Sequence, residues 1–471
     1  MSHKKSMVLN FIWLFLGHAV SALFFFIGMA HTARVLGPDY FGVINFTEIL
    51  FMFFLTLNNV GLAFLGTRDV ARYKEGIVHY VQGIVSLRFI LALGGLALLG
   101  IFLIFSRAPG YVKSCALLYG LALLPASLFL DWYFQGIEKM AQVAMALLVR
   151  SAAFMAGVLW LARVKSDITH VAAIYCFSWI LSTLYLCILS RRHVGMLHFI
   201  WDPVFFRKML KSALPVGFSL LVGWIILYFD TALLYFWKGP AVAGQYTAAC
   251  RPIILVVTAI QVYFNAILPT MSKATKISPK AITDILHWTA RWGLALFLPV
   301  AILGSAFAVF LMTWVYGAAF QNSSAIFSVL IWWPVIVLFV MNFSRLMLCY
   351  EHEAAIGKAS VLTALANIAL NLVLIPAYAA LGAAWAKIGA DIATWIFYAY
   401  LARKIFIFSL RDSCRPALIA AAFMIFFLIL APKGSRWGTA LWACFFYSIV
   451  FLSVTLWMQK RSSENHLNEM G

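Results

Sequence analysis

Apolar residues come in long unbroken runs along this chain, parted by short joints that hold most of its charges and many of its glycines and prolines. The runs cover 8–31, 44–65, 79–105, 113–133, 141–162, 169–190, 209–237, 242–268, 286–310, 324–347, 356–375, 382–402, 415–431 and 437–458. Most are roughly 18–27 residues long, enough for a helix to cross ~30 Å of hydrocarbon. The hydrophobicity is continuous rather than alternating, which selects helices over a β-barrel. A helix pairs its own backbone groups where no water can. The first run is too long for the apolar core of a cleaved leader and is read as the first span. The pattern predicts an all-α polytopic membrane protein of about fourteen spans.

A longer period overlies the spans. Span one leads into Arg34-Val-Leu-Gly37-Pro38-Asp-Tyr-Phe-Gly42, and span seven leads into Lys238-Gly239-Pro240-Ala-Val-Ala-Gly244. Both joints read Gly-Pro-x-x-x-Gly and fall on the same expected side. Spans four and ten each carry a central proline, Pro125 and Pro334, and each ends at an acidic joint around Glu138 or Glu351. An offset of six spans preserves orientation. These features predict parallel repeats about an axis along the membrane normal. The organisation expected is an N-terminal six-helix lobe over 1–190, a basic linker over 191–211 and a second lobe over 212–402. Two extra helices and a short tail occupy 403–471.

Composition agrees: 64% of residues are hydrophobic and 11% charged, with mean hydropathy +0.94. The net charge of +19 would suit a nucleic-acid partner if it were clustered on one soluble face. It is instead spread over alternate joints: Arg68, Arg72 and Lys74; Arg191, Arg192, Arg207, Lys208 and Lys211; Lys273, Lys276 and Lys280; Arg403, Lys404, Arg411 and Arg415. The opposite joints hold fewer, among them Arg107, Lys113, Arg163, Lys165, Lys433 and Arg436. Positive-inside bias explains this pattern without nucleic acid and puts both termini in the cytoplasm. The basic joints also suit anionic lipid head groups.

Charges inside the spans carry more information, because each costs roughly 2.5–3.5 kcal/mol at mid-membrane unless it meets a partner or water. Arg291 and Arg345 lie near an expected cytoplasmic edge and can snorkel. Arg88 is deeper. Arg150 and Arg251 fall near the midplane and are candidates for a polar cavity, and Pro252 predicts a kink beside Arg251. The acids are Glu48, Asp131, Asp230 and Asp391. Lys387 and Asp391 stand four apart on one helix and are expected to neutralise each other. Gly382, Ala386 and Ala390 form a small-residue ridge for tight helix packing. Asp230 is expected to pair with an arginine or to carry a coupling proton.

The Arg34-x-Leu-Gly-Pro-x-x-Phe-Gly42 joint resembles a signature of the Wzx-type polysaccharide and O-antigen repeat-unit flippases. These belong to the multidrug/oligosaccharidyl-lipid/polysaccharide (MOP) exporter superfamily. Further similarities are Gly66-Thr-Arg68-Asp-Val-Ala-Arg72, Asp131-Trp-Tyr-Phe-Gln-Gly-Ile-Glu138, Gly244-x-Tyr246-x-Ala-Ala-x-Arg251, and Asn367-x-x-x-Asn371 followed by Pro376. The resemblance implies a V-shaped pair of six-helix bundles around a cavity that opens to alternate sides of a bacterial inner membrane. It implies undecaprenyl-pyrophosphate-linked oligosaccharide as cargo, with the polymerase and chain-length proteins of the same pathway as partners. Arg251 then matches a cavity arginine of the related lipid II flippases. His18 stands near the depth where those flippases carry helix-one arginines, which counts against lipid II as cargo.

On this reading Arg251, Arg150, Arg88 and His18 bind substrate. Asp230, Glu48, Lys387 and Asp391 serve coupling or lobe contacts. Arg34, Gly37, Pro38, Gly42, Gly239, Pro240 and Gly244 shape the joints. The chain carries no Walker A, His-Glu-x-x-His, Gly-x-Ser-x-Gly or Cys-x-x-Cys pattern, and its seven cysteines read as packing residues. No enzyme activity, cofactor or metal is expected. The longest outer joint, near 311–323, is uncharged, which disfavours a polymerase or ligase. A drug/cation antiporter of the same superfamily would want a more acidic interior.

Overall fold

The computed structural model describes residues 3–72, 76–403, 411–430 and 436–469. Lys74, Lys404 and Lys433 of the basic joints lie outside the described residues, as do the side chains of Arg411 and Arg436. The elements among the described residues are helices: α1 His3–Asn59, α2 Leu62–Arg72, α3 Ile77–Phe105, α4 Gly110–Leu121, α5 Leu123–Ser127, α6 Asp131–Gly136, α7 Met140–Leu161, α8 Ile168–Val194, α9 Pro203–Lys238, α10 Pro240–Ile277, α11 Pro279–Ala306, α12 Ala308–Tyr316, α13 Ser323–Leu330, α14 Trp333–Cys349, α15 Glu353–Arg403, α16 Arg411–Leu430 and α17 Arg436–Glu469. Among the described residues, twelve helical segments are long and apolar enough to cross a membrane. Two of them, within α1 and α15, each hold two expected spans joined at one non-helical residue, Gly37 or Ala379. The joints expected there as loops are sharp bends. With both counted, fourteen crossings are accounted for.

By compactness the chain divides into residues 1–251 with 315–320, and residues 252–314 with 321–471. The boundary falls at Arg251, beyond the 191–211 joint, and α10 runs through Pro252 as one helix.

In the first unit, α1 packs along α7 and α7 along α8. Close approach depends on small residues: a Cβ added at Gly17 would overlap Ala144, and one at Gly28 would crowd Phe154. Ser21 donates to the Leu147 carbonyl at 3.1 Å and Ser182 to that of Ala146 at 2.7 Å, pinning α7 from both sides.

The fourth span is broken into α4, α5 and α6 around Pro125, whose ring forbids a regular helix. Carbonyls along the short α5 segment and the break after it also accept side-chain donors. Thr183 donates to Pro125 O (2.9 Å), Cys187 to Leu128 O (3.8 Å), and Arg88 to both Ala126 O and Phe129 O (3.0 Å each).

The second unit packs α14 on α15, α16 on α17 and α11 against α14 and α16. One cluster in its core joins Met271, Ile282, Leu286, Phe343, Leu346, Met347 and Tyr398. The Gly382–Ala386–Ala390 ridge is buried. Its tenth span is interrupted between α13 and α14, with Pro334 in the first turn of α14.

The expected repeat is visible in the backbone. Gly37 (φ 75°, ψ 175°) and Gly239 (φ 91°, ψ 169°) share one conformation that is essentially glycine-only, each before a proline that starts the next helical segment. Glu138 and Glu351 both take left-handed backbone, φ 58° and φ 60°, at matching span ends. Each is followed by a residue whose N–H reaches five back: Lys139 to Phe134 O at 2.8 Å, His352 to Met347 O at 2.9 Å. Both spans close with the same Schellman turn.

Candidate functional site

The buried charges of the first unit gather around the half of α1 that follows Gly37. One helical turn apart, Asn45 and Glu48 point at Arg251 on α10. The Arg251 Nη2 donates to Glu48 Oε2 at 2.5 Å and to Asn45 Oδ1 at 2.6 Å, and Nε also reaches Asn45 Oδ1 at 3.2 Å. Asn45 is itself oriented, because its Nδ2 donates to Phe41 O at 2.6 Å and leaves Oδ1 for the arginine. The guanidinium also faces the rings of Phe25 (5.6 Å) and Phe41 (5.9 Å). Its side chain is 16% exposed and that of Glu48 13%. A charge-assisted fork in so dry a place holds Arg251 firmly.

Glu48 also lines a cavity of about 220 Å³ with Ser21, Phe25, Met52, Arg150, Ser151, Phe154, Tyr175 and Ser178. Arg150 projects into it from α7. Its guanidinium lies over the Trp179 ring, 4.3 Å from the centroid, a cation–π contact that leaves the N–H edge unused. Among the described residues Arg150 makes no hydrogen bond and no ion pair. A guanidinium with unused N–H groups on a cavity wall is chemically able to donate to an anion.

The other expected site residues take different places. Arg88 was expected as an auxiliary cation of the site. It is instead fully enclosed, because the Ala126 and Phe129 carbonyls of another span occupy it. His18 is exposed on α1 and is a charge neighbour of Arg150 and Asp131. Asp230 is fully buried. Its Oδ2 accepts from the Tyr246 hydroxyl and its Oδ1 from the Thr231 amide, each at 2.6 Å, so this acid ties α9 to α10. In the second unit, Asp391 accepts from Trp333 Nε1 at 2.6 Å, while Lys387 Nζ lies 5.3 Å from the same ring. The two charges share Trp333. Arg345 donates to Asn265 at 2.7 Å.

The joint residues form a contact of their own. A Cβ added at Gly42 would overlap the Pro240 carbonyl, and one added at Gly244 would overlap the Pro38 carbonyl. The two Gly-Pro-x-x-x-Gly joints thus pack on each other reciprocally, glycine to carbonyl. Arg34 Nε donates to the Val315 carbonyl at 2.7 Å nearby.

Asn45, Tyr175, Ser178 and Trp179 were not singled out from sequence. Asn45 carries a signal in hindsight: it is a polar residue one turn from Glu48 in an apolar run. Tyr175, Ser178, Trp179 and Ser182 recur at helical spacing as a polar-edged stripe on α8.

The family model for polysaccharide biosynthesis proteins matches residues 7–275. A putative O-antigen transporter of Shigella dysenteriae is 27% identical over 277 residues, which cover 56% of this chain and 67% of that protein. Among solved structures, the lipid II flippase MurJ in an inward closed conformation aligns with a TM-score of 0.78 at 15% identity, covering 96% of this chain and 99% of that one. An inward-facing multidrug resistance MATE family transporter of the MOP superfamily aligns with a TM-score of 0.66 at 15% identity, covering 82% and 97%. At these identities the structural likeness is one of fold. The chain belongs to the polysaccharide biosynthesis protein family.

Proposed function

We propose that this protein is a flippase for a prenyl-pyrophosphate-linked oligosaccharide repeat unit, such as an O-antigen unit. On this reading it moves the unit from the cytoplasmic to the outer leaflet of a bacterial inner membrane. The observation that carries the reading is Arg150, a cation in a membrane cavity with no protein acceptor. A diphosphate cannot enter hydrocarbon unaided, and a guanidinium offers it a charged, two-pronged donor. The prenyl tail needs no polar site and can stay in lipid.

Arg251 has the same chemistry but is committed to Glu48 and Asn45. On this proposal it becomes available to phosphate when cargo or a proton loosens Glu48, which couples occupancy to the conformational cycle. The reciprocal Gly42–Gly244 contact parts in the same cycle, as alternating access between the expected lobes 1–190 and 212–402 requires. Both termini then lie in the cytoplasm, and the product meets the polymerase and chain-length proteins at the outer leaflet. A cation antiporter is less well supported, because the one acid among the cavity's lining residues is already neutralised by Arg251.

The test is depletion in the host, followed by extraction of prenyl-pyrophosphate glycans with their leaflet accessibility scored. Single units accumulating on the cytoplasmic leaflet, rescued by wild type and not by Arg150→Ala, are expected. Units accumulating outside would mark a polymerase or ligase step. Unchanged prenyl-linked glycans would sink the reading.

A further inference from the structure

A second basic pocket, of about 570 Å³, lies in the first unit between α2, the start of α3 and the start of α9. Its polar lining is Arg68, Asp69, Arg72, His79, Lys208 and Ser212. It shares no lining residue with the Arg150 cavity.

The charges within it are unequally committed. Arg68 Nε donates to Asp69 Oδ1 at 2.7 Å, and the Tyr80 hydroxyl donates to Asp69 Oδ2 at 2.7 Å. Burial alone would raise the pKa of Asp69, but these two hydrogen bonds hold its carboxyl below the usual carboxylate range. The acid is therefore ionised and internally satisfied. His79 leans toward Asp202 at 3.9 Å. Arg72 and Lys208 have no hydrogen bond and no ion pair among the described residues. Gly76, with φ 68°, opens α3 without a side-chain cap, so the first N–H groups of a 29-residue helix sit at the pocket rim.

The remaining wall is apolar: Leu65, Val70, Ile77, Phe205 and Met209. Phe205 packs edge-on against Tyr80, with centroids 5.7 Å apart. Beside it the joint before α9 presents exposed Phe199, Trp201 and Val204, with Trp201 edge-on to Phe206. Exposed aromatic residues at the end of a span mark the headgroup level of a bilayer. The pocket thus combines uncommitted cations, helix N–H groups and an apolar wall at the depth where lipid phosphates lie.

We propose that this pocket binds the phosphate headgroup of an anionic membrane lipid, with Arg72 and Lys208 as its charged ligands. A free soluble phosphate shares the charge but has no use for the apolar wall.

The full chain, purified in detergent and returned to nanodiscs, tests this by native mass spectrometry of retained lipid. The discs contain phosphatidylglycerol and phosphatidylcholine in equal amounts. Wild type is expected to retain phosphatidylglycerol preferentially. Arg72→Gln and Lys208→Gln are each expected to lower that retention by about fivefold, the effect of one basic charge at an anionic surface. Lys211→Gln, on the same helix but outside the pocket lining, is the control and should change retention little. Equal loss from Lys211→Gln would mean a diffuse surface field and overturn the proposal. Displacement of bound lipid by millimolar inorganic phosphate or glycerol phosphate would assign the pocket to a soluble anion and overturn it too. No loss in either pocket variant would also reject it. If a variant fails to fold, Ser212→Trp fills the pocket without touching charge and is expected to give the same selective loss; unchanged retention by folded Ser212→Trp would overturn the proposal.

Discussion

The two units bury charge in different ways. In the second, Lys387 and Asp391 meet around one tryptophan and Arg345 is met by Asn265, while Arg291 keeps a buried Nε with no hydrogen-bond partner among the described residues. In the first, Arg251 is held by Glu48 and Asn45, while Arg150, which lines a cavity, has the face of Trp179 and the longer-range charges of Asp131 and Glu48 but no hydrogen bond. The backbones of the two halves repeat one another at Gly37 and Gly239 and again at Glu138 and Glu351. Repetition shapes the backbone, and the cavity that Arg150 lines lies in the first unit. A charge whose partner is built in reports on folding.

Substitutions can break that contrast. The largest effect is expected from Arg150→Ala. It should cut rescue of surface polysaccharide by roughly 30-fold or more, the scale of truncating one member of a desolvated charge pair. Membrane abundance should stay normal. Arg150→Lys keeps the charge but loses the planar fork and should recover only part of the activity. Full rescue by Arg150→Ala would remove the residue from the site.

Glu48→Gln tests the committed cation. It leaves Arg251 buried among neutral acceptors with no counter-charge and should destabilise the protein by roughly 3–5 kcal/mol, read as a lowered Tm in detergent. Removing the arginine as well, in Glu48→Gln/Arg251→Gln, should return much of that stability without returning transport. Equal stability in the single and double variants would show that the pair is not coupled.

In the second unit, Trp333→Phe deletes the donor to Asp391 and should cost roughly 1.5–3 kcal/mol. Transport per folded molecule should not change, and a selective loss of transport would place this cluster in the site after all. The smallest effects should come from the joints. Gly42→Ala and Gly244→Ala should each cost roughly 1–3 kcal/mol by overpacking, and by similar amounts. A large difference between them would contradict the reciprocal contact.

Much of the fold was legible because lipid imposes length and continuity on every span. The Gly-Pro joints were legible as a pair, because only glycine takes the backbone that both adopt. Two joints written as loops are single-residue bends: chain direction can reverse at Gly37 or Ala379 without interrupting the apolar pattern beyond them. The partners of Arg88 were not legible for a physical reason. Its depth is visible in sequence, but the carbonyls that occupy it belong to another span, 38 and 41 residues further along the chain. Arg150 and Arg251 looked alike for the same reason, since depth alone does not say which cation already has an acceptor. Asn45 decides that, and it is one uncharged residue in a long apolar run.

The reciprocal joint carries a further consequence. Each Gly-Pro-x-x-x-Gly turn offers a carbonyl after its glycine and a bare Cα one helical turn later, and each accepts the other's carbonyl at its bare Cα. A motif that fits a copy of itself behaves like a two-fold dimer interface folded into one chain. Such a clasp needs no second, separately shaped surface. Any shift that loosens one half of it loosens the other by symmetry, so it opens as a unit or remains shut.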